Sequence, residues 1–241
     1  MKIALVSAIY GTYEATVKPL PLDLGIPAIM FTDQESIAQQ CDAAGWRAVF
    51  DDSVYQRFTA DPANGDLAVT VPMLAHKFWK THPFEAVAEA GLDDIDASIW
   101  IDGNMRLIGS GAEWVAKNVA ALGDDEWSLM RHPWRDCVYT EEAYTSAVCW
   151  GRYSVEAMKR QIAAIEASGH PRGWGLFATG HMVRRHTSAV LGVCDAWWCD
   201  NVRWSHQDQL SLPPIIRTYA ESLRWNANLP WATWALDPHG T

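Results

Sequence analysis

The chain is predicted to fold as an α/β domain, a mixed and mostly parallel sheet flanked by helices. Three observations support this prediction. Short apolar runs alternate with amphipathic segments along the first hundred residues. Polar turns follow several of these runs, and no repeat or low-complexity tract interrupts the pattern. We therefore expect a single domain over residues 1–241, with ligands bound beyond the carboxyl ends of the strands.

The elements of the first half follow from hydrophobic patterning. A helix is expected over residues 34–44, and Pro72 is predicted to begin another over residues 72–79, because proline is favoured at the first helical position. Buried strands are predicted at residues 3–7, 28–31, 46–50 and 97–101. Three of them end in polar turns, at Tyr10-Gly11, Thr32-Asp33 and Asp102-Gly103-Asn104.

The second half is predicted to contain two clear helices. Ser154 is expected to cap the first, which Gly169 and Pro171 end. The second is predicted over residues 187–198. Between them, two short extended segments are expected at residues 175–178 and 181–184.

Composition narrows the classes of function. The net charge of −10 argues against a long nucleic-acid track, although a local basic pocket for a diphosphate needs only two or three cations. No apolar stretch approaches the roughly 20 residues of a membrane span. Five cysteines without CxxC spacing indicate reduced thiols. We expect a cytoplasmic protein, in the host cytoplasm if the chain is phage-encoded.

The turn after the fourth strand offers oxygen ligands. Asp102 and Asn104 lie two residues apart, and oxygen donors suit Mn²⁺ or Mg²⁺, which bridge to phosphates. Gly103 allows a tight turn and a close approach of the diphosphate. The alternative is a plain hairpin turn, because Asp-Gly favours one.

Basic side chains are candidates for neutralising a diphosphate. Lys77 and Lys80 lie one helical turn apart on one face. His186 is a candidate metal or phosphate ligand, and His132 a candidate contact for an acceptor. Each of these residues is otherwise an ordinary surface or structural group. The other candidate cations are Arg131, Arg135, Arg184 and Arg185.

The order of short blocks along the chain resembles the glycosyltransferase-like domain known from plant mucilage and turgor-regulation proteins and their bacterial and phage relatives. The resemblance covers about residues 3–215. The blocks lie at residues 3–11, 31–33, 100–104, 132–142, 183–186, 197–198 and 207–213.

That resemblance implies a GT-A fold and transfer of a sugar from a nucleotide sugar, such as a UDP-sugar. It implies a nucleotide-binding half at residues 1–104 and an acceptor and catalytic half at residues 105–241. Asp102 and Asn104 become the metal-binding pair, with Asn in place of the usual second Asp. The implied nucleoside contacts are Ala8, Ile9, Tyr10, Gly11 and Asp33.

The block at residues 207–213 implies catalytic residues. Asp208 is expected to bind a sugar hydroxyl, and Gln209 to face the anomeric carbon. The alternative is that Ser205 caps a helix whose solvated first turn contains these residues. Glu141 or Glu142 is a candidate base for an inverting reaction.

Other functions remain open from the sequence. The acceptor is unidentified, and the same chemistry on a hydroxymethylated DNA base is one alternative. An amide hydrolase is another, although no Gly-x-Ser-x-Gly or His-Glu-x-x-His motif is present. A third alternative is a carbohydrate-binding module that uses the 14 tryptophans to bind sugars. The alternation of strands and helices in this chain is a poor match to such a module.

Overall fold

A computed structural model describes residues 1–149, 151–230 and 234–236 of the chain. The strands are β1 (Ile3–Ile9), β2 (Ala28–Thr32), β3 (Arg47–Phe50), β4 (Ala97–Ile101), β5 (Met105–Leu107), β6 (Trp127–Arg131), β7 (Phe177–Arg185), β8 (Trp225–Asn226) and β9 (Trp234–Leu236). The helices are α1 (Glu35–Cys41), α2 (Leu67–Thr81), α3 (Pro83–Glu89), α4 (Gly111–Leu122), α5 (Val138–Val148), α6 (Val155–Ala167), α7 (Ser188–Arg203) and α8 (Asp208–Thr218).

Seven strands form the central sheet, in the order β3-β2-β1-β4-β7-β6-β8. The pairs β3–β2, β2–β1, β1–β4 and β6–β8 are parallel, whereas β7 runs antiparallel to both β4 and β6. The predicted mixed, mostly parallel sheet flanked by helices is therefore confirmed. The carboxyl ends of β1, β2 and β4 lie at one edge, which we call the carboxyl edge, together with the amino end of β7.

The sheet has a hydrophobic core on each face. Alternate residues of β1 point to opposite sides, as strand geometry requires. Val6 packs among side chains of α2, α7 and α8, and Leu5 packs among side chains of α1 and α4. Among the described residues, the five largest fully buried side chains are tryptophans, which indicates a mainly structural use of this residue; they are Trp79, Trp100, Trp114, Trp127 and Trp197.

The predicted start of α2 at Pro72 is wrong. Asp66 caps the helix by accepting a hydrogen bond from the backbone N–H of Ala68, so the helix begins at Leu67 and Pro72 is its sixth residue. The proline packs against the turn after β1, where a Cβ added to Gly11 would lie 2.7 Å from Pro72 Cβ. Gly11 also has a φ of 63°, which favours glycine.

Other boundaries differ in smaller ways. α1 ends at Cys41, three residues before the predicted end, and the two extended segments expected around residue 180 form the single strand β7. Ser154 and Thr187 cap α6 and α7 through their side chains. None of the described helices combines the length and the hydropathy that a membrane crossing requires.

The turn after β4 does not form the plain hairpin considered above. The backbone N–H of Met105 donates to the carbonyl of Asp102, but the strand that follows, β5, pairs with β9 and not with β4. A Cβ on Gly103 would lie 2.5 Å from Ile9 Cγ1. Glycine is therefore required here because the turn packs directly against the end of β1.

Candidate active site

A cavity of about 270 Å³ opens at the carboxyl edge. Its wall combines the end of β1, the turn after β4, the amino end of β7, one face of α2, the amino terminus of α8 and the segment between α5 and α6. Residues from both halves of the chain therefore surround one volume. Of the predicted site residues, the cavity is lined by Ile9, Tyr10, Lys77, Asp102, Asn104, His132, Arg135, Glu141, Asp208 and Gln209.

Four buried or half-buried charges form a cluster beside this cavity. Lys77 Nζ lies 2.6 Å from Asp208 Oδ2, and Lys80 Nζ lies 2.8 Å from the same oxygen. Lys80 Nζ also lies 2.8 Å from Asp102 Oδ1, so its ammonium group bridges the two carboxylates. The Lys80 side chain has no exposed surface, and that of Asp208 is 4% exposed. We call these four residues the lysine–aspartate cluster.

Local structure explains why these charges meet. Lys77 and Lys80 are three residues apart on α2, which places their side chains on one face of the helix. Asp208 is the first residue of α8, where the positive end of the helix dipole favours a carboxylate. Asp102 follows β4 directly. The sheet and two helices thus bring together side chains that are up to 131 residues apart.

The lysines control the ionisation of both aspartates. Burial alone raises the pKa of Asp102 and of Asp208, but the neighbouring ammonium groups outweigh it and hold both pKa values well below the usual range. The pKa of Lys80 is lowered by burial, and the two carboxylates partly offset that effect. The cluster therefore pairs two carboxylates with the side chains of two lysines.

Two further side chains complete the surroundings of Asp102. Trp100 Nε1 donates to Asp102 Oδ1 over 2.8 Å, and His76 Nε2 lies 3.6 Å from the same oxygen. Burial and the charge of Lys77 lower the pKa of His76 well below its ordinary value, so the imidazole is neutral. His76 is not among the residues predicted from the sequence, although its spacing of four residues from Lys80 on one helix places both side chains on the same face.

A second polar network lies across the cavity and centres on Glu141. Its carboxylate is paired with Arg135 and accepts hydrogen bonds from Thr145 Oγ1 at 3.1 Å and Gln207 Nε2 at 3.0 Å. Burial and the charge of Arg135 lower the pKa of the adjacent His132 to about 4. The predicted Arg135 is thus in the site, but its charge is compensated by Glu141.

Arg152 is a cation of the site that sequence reasoning missed. It lines the cavity, and its guanidinium lies over the rings of Tyr13 and Tyr153, at 4.6 Å and 5.1 Å from their centroids. Its Nε is buried, and no described residue forms a hydrogen bond with it. Nothing in the local sequence distinguishes Arg152 from a surface arginine, because the contacts that position it come from Tyr13, 139 residues earlier, as well as from its neighbour.

The residues expected around a nucleoside lie at the same edge. Ile9 and Tyr10 line the cavity, whereas Ala8 is buried in the sheet behind them. Asp33 accepts hydrogen bonds from the backbone N–H of Gly11 and from the hydroxyl of Tyr55. Asp33 therefore stabilises the turn that ends β1 and does not line the cavity.

Two of the three predicted metal ligands lie together, and the third does not. Asp102 and Asn104 lie at the carboxyl edge. His186 lies at the other end of β4, where its backbone N–H donates to the carbonyl of Asp96. The five residues of β4 separate these two ends by roughly 16 Å. The prediction that His186 shares a metal with Asp102 is therefore wrong, and its ring stacks on Phe84 instead.

The side chains present do not fit a resident divalent cation. Among the residues that the structure describes, no group of three or more His, Cys, Asp or Glu side chains is arranged to hold a metal ion. The Asp102 carboxylate already receives the Lys80 ammonium and the Trp100 N–H on one oxygen. A DxD-type site needs uncompensated carboxylates, and here the carboxylate is compensated.

The remaining candidate cations and one candidate base lie outside the cavity, and the first turn of α8 differs from the solvated turn considered as an alternative. Arg184 is buried and donates to the carbonyl of Lys80, and Arg185 donates to the carbonyls of Gly123 and Asp125 at the opposite edge. Arg131 and Glu142 are not among the lining residues. The first turn of α8 is not solvated, because Gln207 and Asp208 are both buried.

Comparison with known proteins identifies the fold. No protein-family model matches the chain, and no curated protein matches it in sequence. The structure of mouse xyloside xylosyltransferase 1 in its apo form matches at a TM-score of 0.53 and 10% identity, over 94% of this chain and 84% of that one.

Two further solved structures match at lower TM-scores. The mannosyltransferase Ktr4p from S. cerevisiae, in complex with GDP, has a TM-score of 0.46 at 10% identity, over 98% and 71% of the two chains. Glucosyl-3-phosphoglycerate synthase from Mycobacterium tuberculosis, with Mn²⁺ and UDP-glucose, has 0.42 at 11% identity, over 98% and 71%. At such identities the similarity shows the fold alone, and the chain has the GT-A fold.

Proposed function

We propose that this chain is a glycosyltransferase that moves a sugar from a nucleotide-sugar donor to an acceptor. The main support is the position of the lysine–aspartate cluster, at the edge of a GT-A sheet where β1 and β4 end and beside a cavity large enough for a ligand. Ligands of open α/β sheets bind at this edge. Departure of a nucleoside diphosphate leaves negative charge there, which nearby cations stabilise.

The roles of the lining residues follow from their chemistry. Ile9 and Tyr10 would contact the nucleoside, and Lys77 with Arg152 would contact the diphosphate. Gln209 would face the anomeric carbon. Its side-chain carbonyl oxygen is buried and has no hydrogen-bond partner in the described part of the chain, so it can turn toward positive charge that develops on the sugar. Asp208 would position the two lysines and border the donor sugar.

The donor and the family belong to the same proposal. The resemblance to the glycosyltransferase-like domain of plant mucilage and turgor-regulation proteins supports a hexose carried on UDP. Asp102 and Asn104 are the predicted oxygen donors for Mn²⁺ or Mg²⁺, but Lys80 already holds the Asp102 carboxylate, so donor use should be measured with and without metal. The acceptor is unidentified, and a hydroxyl group on a glycan fits the proposed chemistry.

The proposal is tested with a panel of donors. The purified protein is incubated with UDP-glucose, UDP-galactose, UDP-N-acetylglucosamine, UDP-xylose and GDP-mannose, in EDTA or in Mn²⁺. We expect at least one donor to raise the melting temperature and to be hydrolysed slowly, since water replaces a missing acceptor. If no donor shifts the melting temperature and none is hydrolysed under either condition, the protein is not a glycosyltransferase of this kind.

Replacing Gln209 tests the catalytic part of the proposal. We expect Gln209→Ala to lower donor turnover by about tenfold to a hundredfold, because a polar group that stabilises developing charge is lost. The melting temperature should change little, since Gln209 makes no side-chain hydrogen bond through its carbonyl oxygen. Turnover equal to that of the unmodified protein would remove Gln209 from the mechanism while leaving donor binding as evidence for the activity.

A further inference from the structure

We propose that the Lys77 ammonium group at the cavity wall, with the buried Lys80 ammonium group holding Asp102 behind it, takes the place of a divalent metal ion, so that the donor diphosphate binds without one. This inference rests on the proposed function. It concerns which cation faces the diphosphate at the carboxyl edge. The observation behind it is that Lys80 bridges Asp102 and Asp208, with Nζ 2.8 Å from an oxygen of each.

Charge balance is the first argument. A metal-dependent diphosphate site has surplus negative charge, which draws in the cation. Here the carboxylates of Asp102 and Asp208 face the ammonium groups of Lys77 and Lys80, so the cluster has no net charge. A divalent cation at Asp102 would lie beside the Lys80 ammonium, which the protein holds without exposure to water that would screen the repulsion.

The composition of the turn after β4 is the second argument. Only one of its two candidate ligands, Asp102, carries a negative charge, because Asn104 supplies an amide. The single carboxylate is held by Lys80 and by Trp100 Nε1 on the same oxygen. The turn is therefore built to anchor an ammonium group.

The third argument is that cations reach the cavity wall. Lys77 lines the cavity and has three N–H bonds, one of which is directed at Asp208. Arg152 also lines it; its Nε is buried with no partner among the described residues, and its guanidinium lies over two tyrosine rings. A planar guanidinium and an ammonium group at one cavity are donors that phosphate oxygens accept.

Binding of simple probes tests this inference. Inorganic pyrophosphate and UDP are titrated into the full chain by calorimetry, in EDTA and in Mn²⁺. We expect both probes to bind in EDTA, with affinities that Mn²⁺ changes by no more than about threefold. Binding that requires Mn²⁺ would overturn the inference and leave the glycosyltransferase proposal standing. No binding of either probe in either buffer would overturn both.

Two variants separate the lysines from a metal site. Lys77→Gln should weaken pyrophosphate binding in EDTA by about tenfold or more, because a charge-assisted hydrogen bond is lost. Asp102→Asn should tighten it by about twofold to fivefold, because a negative charge leaves the edge. A metal site predicts the opposite for Asp102→Asn, namely loss of binding.

The control is Lys117→Gln on α4, where the Lys117 side chain is 52% exposed and its ammonium group pairs with Glu113. It should leave pyrophosphate affinity unchanged. Because Lys77 is buried, the melting temperature and the far-ultraviolet spectrum of Lys77→Gln are recorded alongside. A folded Lys77→Gln protein that binds pyrophosphate as tightly as the unmodified chain, or an Asp102→Asn protein that loses binding, contradicts the inference.

Discussion

The two ends of the central strands use similar residues for different purposes. At the carboxyl edge, Lys77, Lys80, Asp102 and Asp208 neutralise one another beside a cavity. At the opposite edge, Arg185 donates to backbone carbonyls, and the backbone N–H of His186 donates to the carbonyl of Asp96. The difference shows that a basic motif marks a site only where the fold leaves space for a ligand.

The hydrogen-bond partners of the basic side chains explain part of this contrast. Arg185 reaches Gly123 and Asp125 and satisfies carbonyl groups around the ends of α4 and β6, so its donors are used for the fold. The lysines of α2 instead point to carboxylates whose other neighbours are cavity-lining groups. Charges at the carboxyl edge are therefore balanced within the site, where a bound anion can redistribute their hydrogen bonds.

The largest expected effect is on stability, from Asp208→Ala. The change leaves the buried Lys77 ammonium without its carboxylate and removes one of two partners from Lys80, so the free energy of unfolding should fall by about 3–5 kcal/mol. Urea denaturation measures this fall. The matched control is Asp96→Ala at the opposite edge, where the side chain is 59% exposed and the cost should stay within about 1 kcal/mol.

Equal decreases in the free energy of unfolding for Asp208→Ala and Asp96→Ala would contradict the contrast between the two edges, because the cluster would then be no more important to the fold than a surface pair. A larger decrease for Asp208→Ala would support the contrast. The companion variant Asp208→Asn keeps the shape and some hydrogen bonding, and it should lie between the alanine variant and the unmodified protein.

Acid should destabilise the protein before the aspartates titrate. Burial lowers the pKa of His206 to about 3 in the fold, against 6.5 for an ordinary histidine. Because the pKa of His206 is lower in the folded protein, the unfolded chain takes up a proton at a higher pH than the folded one does. The free energy of unfolding is therefore at its full value above pH 6.5 and decreases as the pH falls toward 3. At pH 5 the loss from this residue is about 2 kcal/mol.

The measurement is urea denaturation at pH 7, 6 and 5. The Nε2–H of His206 donates a hydrogen bond to the backbone carbonyl of Arg152, a residue that lines the cavity, so the acid sensitivity belongs to the carboxyl edge. His206→Gln should reduce the pH dependence between pH 7 and 5. A slope that stays the same in this variant would assign the acid sensitivity to other buried histidines.

The smallest expected effect is from His186→Ala at the opposite edge. The ring stacks on Phe84, so its loss should cost about 1 kcal/mol of stability. Donor turnover should stay within about twofold of the unmodified protein, in contrast to Gln209→Ala at the carboxyl edge. A turnover loss comparable with that of Gln209→Ala would show that the two edges are functionally linked.

Local patterns in the sequence were enough for the class of fold and for much of the site. The strand ends at Gly11, Asp33 and Asp102 were predicted to converge, and they do so because parallel strands bring their carboxyl ends to one edge. Lys77 and Lys80 were predicted to share a helical face, which the 3.6-residue period of a helix determines. Such features depend only on neighbours in the chain.

The remainder depended on tertiary contacts. Placement of Arg152 between Tyr13 and Tyr153, and of Lys80 between Asp102 and Asp208, requires side chains from distant elements to meet.

The position of His186 also depended on tertiary structure, because the antiparallel direction of β7 places this residue at the opposite edge, away from Asp102. The sequence by itself determined elements such as β1, β2, β4, α6 and α7 and the shared face of Lys77 and Lys80, because propensity and periodicity are local. Only the tertiary structure decided which charges neutralise one another, since strand direction and burial set those distances.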